Sequence, residues 1–162
     1  MEGFPAVESV SVVNTEIANV PIVRSTSDGN VDAVRIGIRI PALVKNDTTN
    51  GDSVGYRIGL AFEHRVGTGA WIPATTTTIT GKNLSPYEQA FRIERPAGTS
   101  GVWSVRVRRT TAKSDSQAIQ DTAIWYTTTE IQDIKVAYPD AALVGLYIDA
   151  EATGGAIPGR LS

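Results

Sequence analysis

The side chains that most often perform catalysis or bind metal ions are scarce in this sequence. Its 162 residues include one histidine, His64, and no cysteine. Without cysteine there can be no disulfide, thiolate metal site, iron–sulfur cluster or thiol nucleophile, and one histidine cannot form the His pairs of many zinc sites. No G-x-S-x-G sequence offers a serine for His64 to activate. We therefore predict a surface or half-buried histidine and no enzyme.

One segment has the composition of a calcium loop. Residues 28–32 (DGNVD) carry three oxygen-bearing side chains around a glycine, and oxygen is the ligand that Ca²⁺ prefers. The segment lacks the bidentate glutamate and the full spacing of such a loop. Asp, Gly and Asn ahead of a strand are also ordinary turn residues. The sequence thus favours a plain turn, with no metal and no cofactor.

Three glutamates in strand-like segments could form the carboxylate pair of a glycoside hydrolase. They are Glu63, Glu88 and Glu94. Each occupies the polar position of an alternating pattern and lies near arginines. Cross-strand ion pairs explain them more simply than catalysis.

Arginine outnumbers lysine 11 to 4, which raises the alternative of a polyanion-binding face. The net charge is -2, however, and no aromatic residues alternate with the arginines as a nucleic-acid stacking platform requires. Residues 67–69 (GTG) precede no predicted helix, so they offer no phosphate cradle. We predict a solvated, salt-bridged sheet face and no nucleic acid as a partner. The arginines of this face are Arg35, Arg39, Arg57, Arg92, Arg106, Arg108 and Arg109.

The elements that position these side chains follow from composition. Threonine, valine and isoleucine make up 49 of the 162 residues, against 6 leucines and 1 methionine. β-Branched side chains at this density favour strands over long helices. No apolar run approaches the ~18 residues needed to cross a bilayer. The sequence predicts an antiparallel β protein in an aqueous compartment.

Period-two alternation marks the strands. In residues 31–40 (VDAVRIGIRI), Val34, Ile36, Ile38 and Ile40 share one parity and the arginines the other. About seven such segments, and no amphipathic helical pattern, predict a two-layer antiparallel β-sandwich of immunoglobulin or fibronectin type III kind, with a barrel as the alternative. Further predicted strands lie within residues 54–66, 75–80, 85–95, 101–110 and 122–136.

The same parity predicts a core and the start of the sandwich. We expect an N-terminal edge strand or linker over residues 1–30, with the sandwich beginning at residue 31. The core should contain Ile36, Ile38, Ile58, Leu60, Phe91, Trp103, Val105 and Val107.

Four strings occur in an order that resembles a known family. They are residues 31–44 (VDAVRIGIRIPALV), 79–82 (ITGK) with 85–88 (SPYE), 103–109 (WSVRVRR) and 138–146 (YPDAALVGL). Together they resemble the host-specificity protein J of lambda-like long-tailed phages, over most of the chain.

The resemblance implies a virion component at the tail tip, made in the bacterial cytoplasm and encoded by a phage or prophage. It implies a protein much longer than this chain, trimeric at full length, in contact with copies of itself and with other tail-tip proteins. The host receptor would be bound by other parts of that protein. The resemblance implies no enzyme activity. It places the start of the next segment of that protein near Tyr138, which divides the chain into a sandwich over residues 31–137 and a partly ordered segment over 138–162.

Two functions follow for the chain itself. The first is a structural sandwich within the tail hub used in host attachment. The second is a carbohydrate- or receptor-binding module that uses exposed aromatic rings as sugar platforms, with Trp71, Trp125 and Tyr147 as candidates. Exposure of those rings separates the two. In either case we expect the isolated chain to be a monomer in dilute solution, because one domain would retain less than the ~1,200 Å² of buried surface typical of stable association.

Overall fold

The computed structural model describes residues 6–133, and in this part of the chain every regular element is a β-strand. No helix there is long and apolar enough to cross a membrane. The eleven strands, β1 to β11 in order, are Ala6–Glu16, Ile22–Ser25, Ala33–Ile40, Val44–Asn46, Ser53–Val54, Tyr56–Val66, Ile72–Gly81, Tyr87–Glu94, Trp103–Arg109, Ile119–Gln120 and Ile124–Asp133.

The strands form two four-stranded antiparallel sheets and one small sheet. The first sheet has the order β1-β11-β3-β8 and the second has the order β2-β9-β6-β7. The small sheet joins β10, β4 and β5, which are two or three residues long. The predicted antiparallel sandwich is confirmed, with more strands than expected because segments this short show no alternation.

The first and second sheets enclose one apolar core, and strand β3 shows how the sequence builds it. Val34, Ile36, Ile38 and Ile40 are buried, whereas Arg35 and Arg39 of the same strand lie on the outer face. Successive side chains of a strand point to opposite faces, so alternation in sequence becomes one apolar and one polar surface. The outer face of each sheet is thereby available for charged residues.

Seven of the eight predicted core residues are buried, and the eighth, Phe91, is half-buried. Phe91 lies on β8, an edge strand of the first sheet, where the sandwich covers one side of the ring less completely. The ring still packs on Phe62, with centroids 4.8 Å apart. Trp103 is 0% exposed, and its Nε1 donates a hydrogen bond to the Val31 carbonyl oxygen at 2.9 Å, so its one polar atom is satisfied inside the core.

Residues 6–30 contain two edge strands, β1 of the first sheet and β2 of the second. Strand β1 pairs with β11 from Ala6 opposite Asp133 to Glu16 opposite Ile124. The register shifts between Val12 and Thr15, next to Asn14, whose φ is 47°. Asparagine tolerates this left-handed conformation better than most residues. The predicted segment 138–162 lies outside the described residues.

A β-bulge in β11 overturns the expectation that Trp125 is exposed. Ile38 lies opposite Trp125 and the next residue of β3 pairs with Thr127, which leaves one residue of β11 extra. The shift places both Trp125 and Thr128 on the inner face. Trp125 is 0% exposed, and its Nε1 donates to the Thr127 carbonyl oxygen and to Thr128 Oγ1 at 3.0 and 2.9 Å. Trp125 therefore belongs to the core and cannot act as a sugar platform.

Arg109 is a second correction, because it is buried rather than part of a solvated face. Its side chain and that of Asp121 are 0% and 1% exposed, with Arg109 Nη2 2.8 Å from Asp121 Oδ2. Arg109 Nη1 also donates to the Asp121 carbonyl oxygen, and Nε donates to that of Thr111. The parity of β9 contains the signal: Arg109 follows Trp103, Val105 and Val107 on the inward positions.

Candidate functional site

The candidate binding residues from the sequence do not form one site in the described structure. Trp125 lies in the core, Tyr147 lies outside the described residues, and Trp71 is half-buried in the connection from β6 to β7. This connection turns at Gly67, whose φ of 53° is the left-handed conformation that glycine adopts readily. Trp71 is thereby brought against the outer face of the second sheet.

Trp71 is the centre of an arginine cluster on that outer face. The guanidinium carbon of Arg65 lies 4.5 Å from the ring centroid, and that of Arg106 lies 4.4 Å from it. Arg65 is on β6 and Arg106 on the adjacent strand β9, so the pairing of these strands brings the two cations to one ring. The indole thus serves as a platform for arginine, through cation–π attraction.

Glu63 is the one carboxylate of this cluster, and it is shared by two arginines. Its Oε2 lies 2.6 Å from Arg106 Nε and 3.6 Å from Arg108 Nε. The hydrogen bond from Arg106 holds the pKa of Glu63 below its ordinary value, against the opposing effect of burial. Glu63 therefore stays ionised and neutralises only one of the two charges.

Arg65 and Arg57 have no carboxylate partner among residues 6–133. Arg65 Nε is buried there without a hydrogen-bond partner, the only side-chain atom of that part of the chain in this state. A buried donor left unpaired costs about 1–3 kcal/mol, so the sheet itself does not complete the bonding of Arg65. We name this outer surface of the second sheet the arginine face; it consists of Arg57, Glu63, Arg65, Trp71, Arg106 and Arg108.

The outer surface of the first sheet, named here the carboxylate face, has the opposite imbalance. Glu8 pairs bidentately with Arg35 at 2.9 and 3.0 Å, and Arg39 pairs with Glu88 at 2.7 Å. Arg92 on β8 pairs with two carboxylates, those of Glu94 at the end of β8 and Asp133 at the end of β11. The face consists of Glu8, Arg35, Arg39, Glu88, Arg92, Glu94 and Asp133.

The two faces, counted residue by residue, show the same contrast. The carboxylate face contains three arginines and four carboxylates, and the arginine face contains four arginines and one carboxylate. A chain with a net charge of -2 thus places opposite charges on its two sides.

The remaining predicted candidates are engaged in local structure. The carboxylate of Asp28 accepts the backbone N–H of Asn30 at 2.7 Å, which is the expected turn. Asp32 pairs with Arg95 at 2.9 Å. No group of three or more potential metal ligands occurs within residues 6–133.

The lone histidine and the predicted glutamate pairs are also accounted for by contacts within the fold. His64 is half-buried, as predicted; its Nδ1 lies 3.2 Å from the Glu94 carbonyl oxygen and its ring meets Trp103 edge-on. Glu63 and Glu88 form the predicted cross-strand ion pairs, with Arg106 and Arg39. Glu94 instead pairs with Arg92 of its own strand.

Sequence comparisons place these features in a family context. Residues 7–134 match a family model described as "Tip attachment protein J, FNIII-A domain". The chain is 39% identical over 154 residues to the tip attachment protein J of Escherichia phage SECphi4, a match that covers 94% of the chain and 13% of that protein. It is 32% identical over 159 residues to the protein of the same name in Escherichia phage SECphi27, covering 98% and 13%. The chain thus spans about an eighth of the length of these relatives.

Proposed function

The chain belongs to the tip attachment protein J family and corresponds to its FNIII-A domain, and from this premise we propose that it is a structural module of a phage tail tip. The predicted resemblance to this family is confirmed. The module would take its place in the hub used for host attachment, in contact with copies of itself and with other virion proteins. It would be made in the cytoplasm of the bacterial host before assembly into the virion.

The observation that carries this proposal is the match over residues 7–134, which coincides with one closed two-sheet core. The side chains that the sequence offered for catalysis are engaged within the fold: His64 contacts the Glu94 carbonyl oxygen and Glu63 pairs with Arg106. A rigid sandwich of this kind suits transmission of position and force between neighbouring domains. We infer a structural role without catalysis.

Immunoelectron microscopy tests the location. An antibody raised against the 162-residue chain should label intact virions of the parent phage at the tail end distal to the capsid. Labelling of the capsid, or of no virion component, would contradict the proposal. An antibody against a capsid protein of the same phage supplies the matched control.

A competition assay tests the assignment of receptor binding to other parts of the parent protein. Excess purified chain, added to host cells before the phage, should leave the adsorption rate unchanged. A dose-dependent fall in adsorption would instead show that this module binds the receptor. Bovine serum albumin at the same concentration controls for crowding.

The isolated chain should be monomeric at micromolar concentration. The interfaces of a long tail protein are distributed over many domains, so one domain retains too little area for stable association. Static light scattering should return the chain mass of 17.3 kDa. A stable trimer at this concentration would show that the sandwich alone carries the oligomer contact.

A further inference from the structure

We propose that the arginine face of one copy of this chain docks on the carboxylate face of the next copy, in a face-to-back arrangement. The inference rests on the proposed function only in that the parent protein must bring copies together. It adds the two surfaces that meet and the charges that hold them. The contact is weak for the isolated chain, which agrees with a monomer at micromolar concentration.

The two faces have opposite surpluses of charge. On the arginine face one carboxylate, Glu63, lies between two arginines, whereas on the carboxylate face one arginine, Arg92, lies between two carboxylates. Each face therefore has the charge that the other lacks. Complementary potentials of this kind orient two surfaces and fix their register.

The arginine face keeps two cations that the fold does not pair. Arg57 is exposed and Arg65 is half-buried, and neither has a carboxylate partner within residues 6–133. On the opposite side Glu94 and Asp133 share one arginine, with side chains 63% and 47% exposed. These carboxylates have free oxygen lone pairs that guanidinium groups of a second copy can engage.

The two faces also contain residue types that are common at protein interfaces. The arginine face contains arginine and tryptophan, which are enriched at protein interfaces, and contains no lysine, which is depleted there. Exposed valines flank the ion pairs on both sides: Val23 lies opposite Arg106 on β2, and Val10 and Val12 lie on the outer face of β1 at 63% and 71% exposure. Docking would bury these apolar side chains together with the charges.

The relatives of this chain are much longer than the chain itself. Because the chain is 13% of its relatives, other segments can hold copies near each other. Tethering raises the effective concentration of a weak contact to about the millimolar range, where even modest electrostatic attraction leads to binding. A face-to-back contact uses two different surfaces, so it can repeat from copy to copy and close into a ring.

A mixing experiment with two neutralised variants tests the proposal. Variant A carries Arg57→Gln and Arg65→Gln, which lack ion pairs within the described residues; variant B carries Glu94→Gln and Asp133→Asn. Sedimentation equilibrium of the wild-type chain at up to about 1 mM, in about 20 mM salt, should detect self-association that weakens roughly tenfold at about 300 mM salt. Each variant alone should associate at least about tenfold more weakly than wild type.

An equimolar mixture of A and B should restore a one-to-one complex of wild-type affinity, because A keeps its carboxylate face and B keeps its arginine face. Lys45→Gln with Lys82→Gln, which removes the same charge as variant A from other surfaces, should leave association unchanged. Circular dichroism spectra and melting temperatures establish that every variant is folded.

Three results would overturn the proposal: no association of wild type at the highest concentration, equal weakening by the lysine control, or a mixture of A and B that stays monomeric. A parallel titration with a heparin hexasaccharide tests whether the arginine face binds a polyanion instead of a second copy. If that sulfated sugar binds the arginine face while the chain remains monomeric, the face recognises a polyanion instead of a second copy. None of these results would alter the location that antibody labelling measures.

Discussion

The two outer faces of the sandwich use the same ion-pair chemistry in opposite proportions. Arg92 bonds two carboxylates on the first sheet, and Glu63 bonds two arginines on the second. The number of salt bridges therefore says little about what a face does, since both faces are rich in them. What distinguishes the faces is the charge left after pairing. A surplus costs little stability at an exposed surface, and it remains available to a partner.

Strand β9 contains a third arrangement, in which a buried arginine is fully paired. Arg106 and Arg108 belong to the arginine face, whereas Arg109 points inward and is matched one-to-one by Asp121. Asp121 Oδ2 also accepts the backbone N–H of Ser114, so the ion pair fixes the segment between β9 and β11. Adjacent arginines thus differ completely in function because the parity of the strand places them on opposite sides.

The largest expected effect is that of removing Arg109. Arg109→Ala leaves Asp121 buried without its cation, and breaking a buried pair in this way costs about 3–5 kcal/mol. Arg108→Ala, one residue away on the arginine face, should change the free energy of unfolding by less than about 1 kcal/mol. Urea denaturation followed by tryptophan fluorescence measures both. Equal losses from the two variants would remove the distinction between inward and outward arginines.

The sequence predicted the inward and outward faces where alternation was uninterrupted. Ile36, Ile38, Ile58 and Leu60 occupy the buried positions that their parity indicated, because apolar burial fixes the register of a strand. Arg109 was misassigned as a solvated residue, although its parity with Trp103 places it inward. In that case residue type outweighed position in the prediction, and the buried partner, Asp121, lies in a segment with no pattern at all.

Other features depend on contacts between distant parts of the chain. The bulge that buries Trp125 is set by pairing with β3, more than eighty residues earlier. The cluster around Trp71 likewise requires β6 and β9 to be neighbours. Two distant segments, residues 63–71 and 106–108, supply its members, so no local motif could reveal it. The surplus charge of each face was invisible for the same reason, since the net charge of the whole chain averages it away.

The next effect compares the carboxylates of the two faces. Glu63→Gln leaves Arg106 and Arg108 without their shared neutralising charge and should cost about 1–2 kcal/mol, because the hydrogen bond involves two charged groups that are largely buried. Glu94→Gln leaves Arg92 with its second carboxylate and should cost less than about 0.5 kcal/mol. Parallel urea titrations measure the difference. A larger loss for Glu94→Gln would contradict the view that Arg92 has a spare carboxylate whereas Arg106 and Arg108 share one.

Acid should weaken the arginine face through the same glutamate. The folded-state pKa of Glu63 lies below its ordinary value because Arg106 bonds the ionised form. Its contribution is therefore present above the unfolded-state pKa and is lost as the pH falls through the folded-state value. Lowering the pH from about 6 to about 3 should thus reduce the stability difference between wild type and Glu63→Gln by up to about 1 kcal/mol. A difference that stays constant over this range would mean that the ionised carboxylate contributes nothing.

The smallest effect concerns Arg65, and it separates a side chain kept for stability from one available to a partner. Arg65→Gln removes a cation–π contact with Trp71 worth about 0.5–1 kcal/mol at a partly exposed site. It also removes a buried Nε that has no hydrogen-bond partner in the described structure, and the penalty of that donor is of similar size and opposite sign.

We therefore expect the free energy of unfolding of Arg65→Gln to stay within about 0.5 kcal/mol of wild type. Trp71 is half-buried, whereas Trp103 and Trp125 are buried. The fluorescence emission of Trp71 should nevertheless change, because the guanidinium group of Arg65 no longer stacks on its ring. Arg106→Gln is the matched comparison: it removes a similar stacking contact together with the bond to Glu63, and should cost about 1 kcal/mol more. If Arg65→Gln proved as destabilising as Arg106→Gln, Arg65 would be a structural residue of the sheet, and the arginine face would lose one of the two unpaired cations on which its docking role depends.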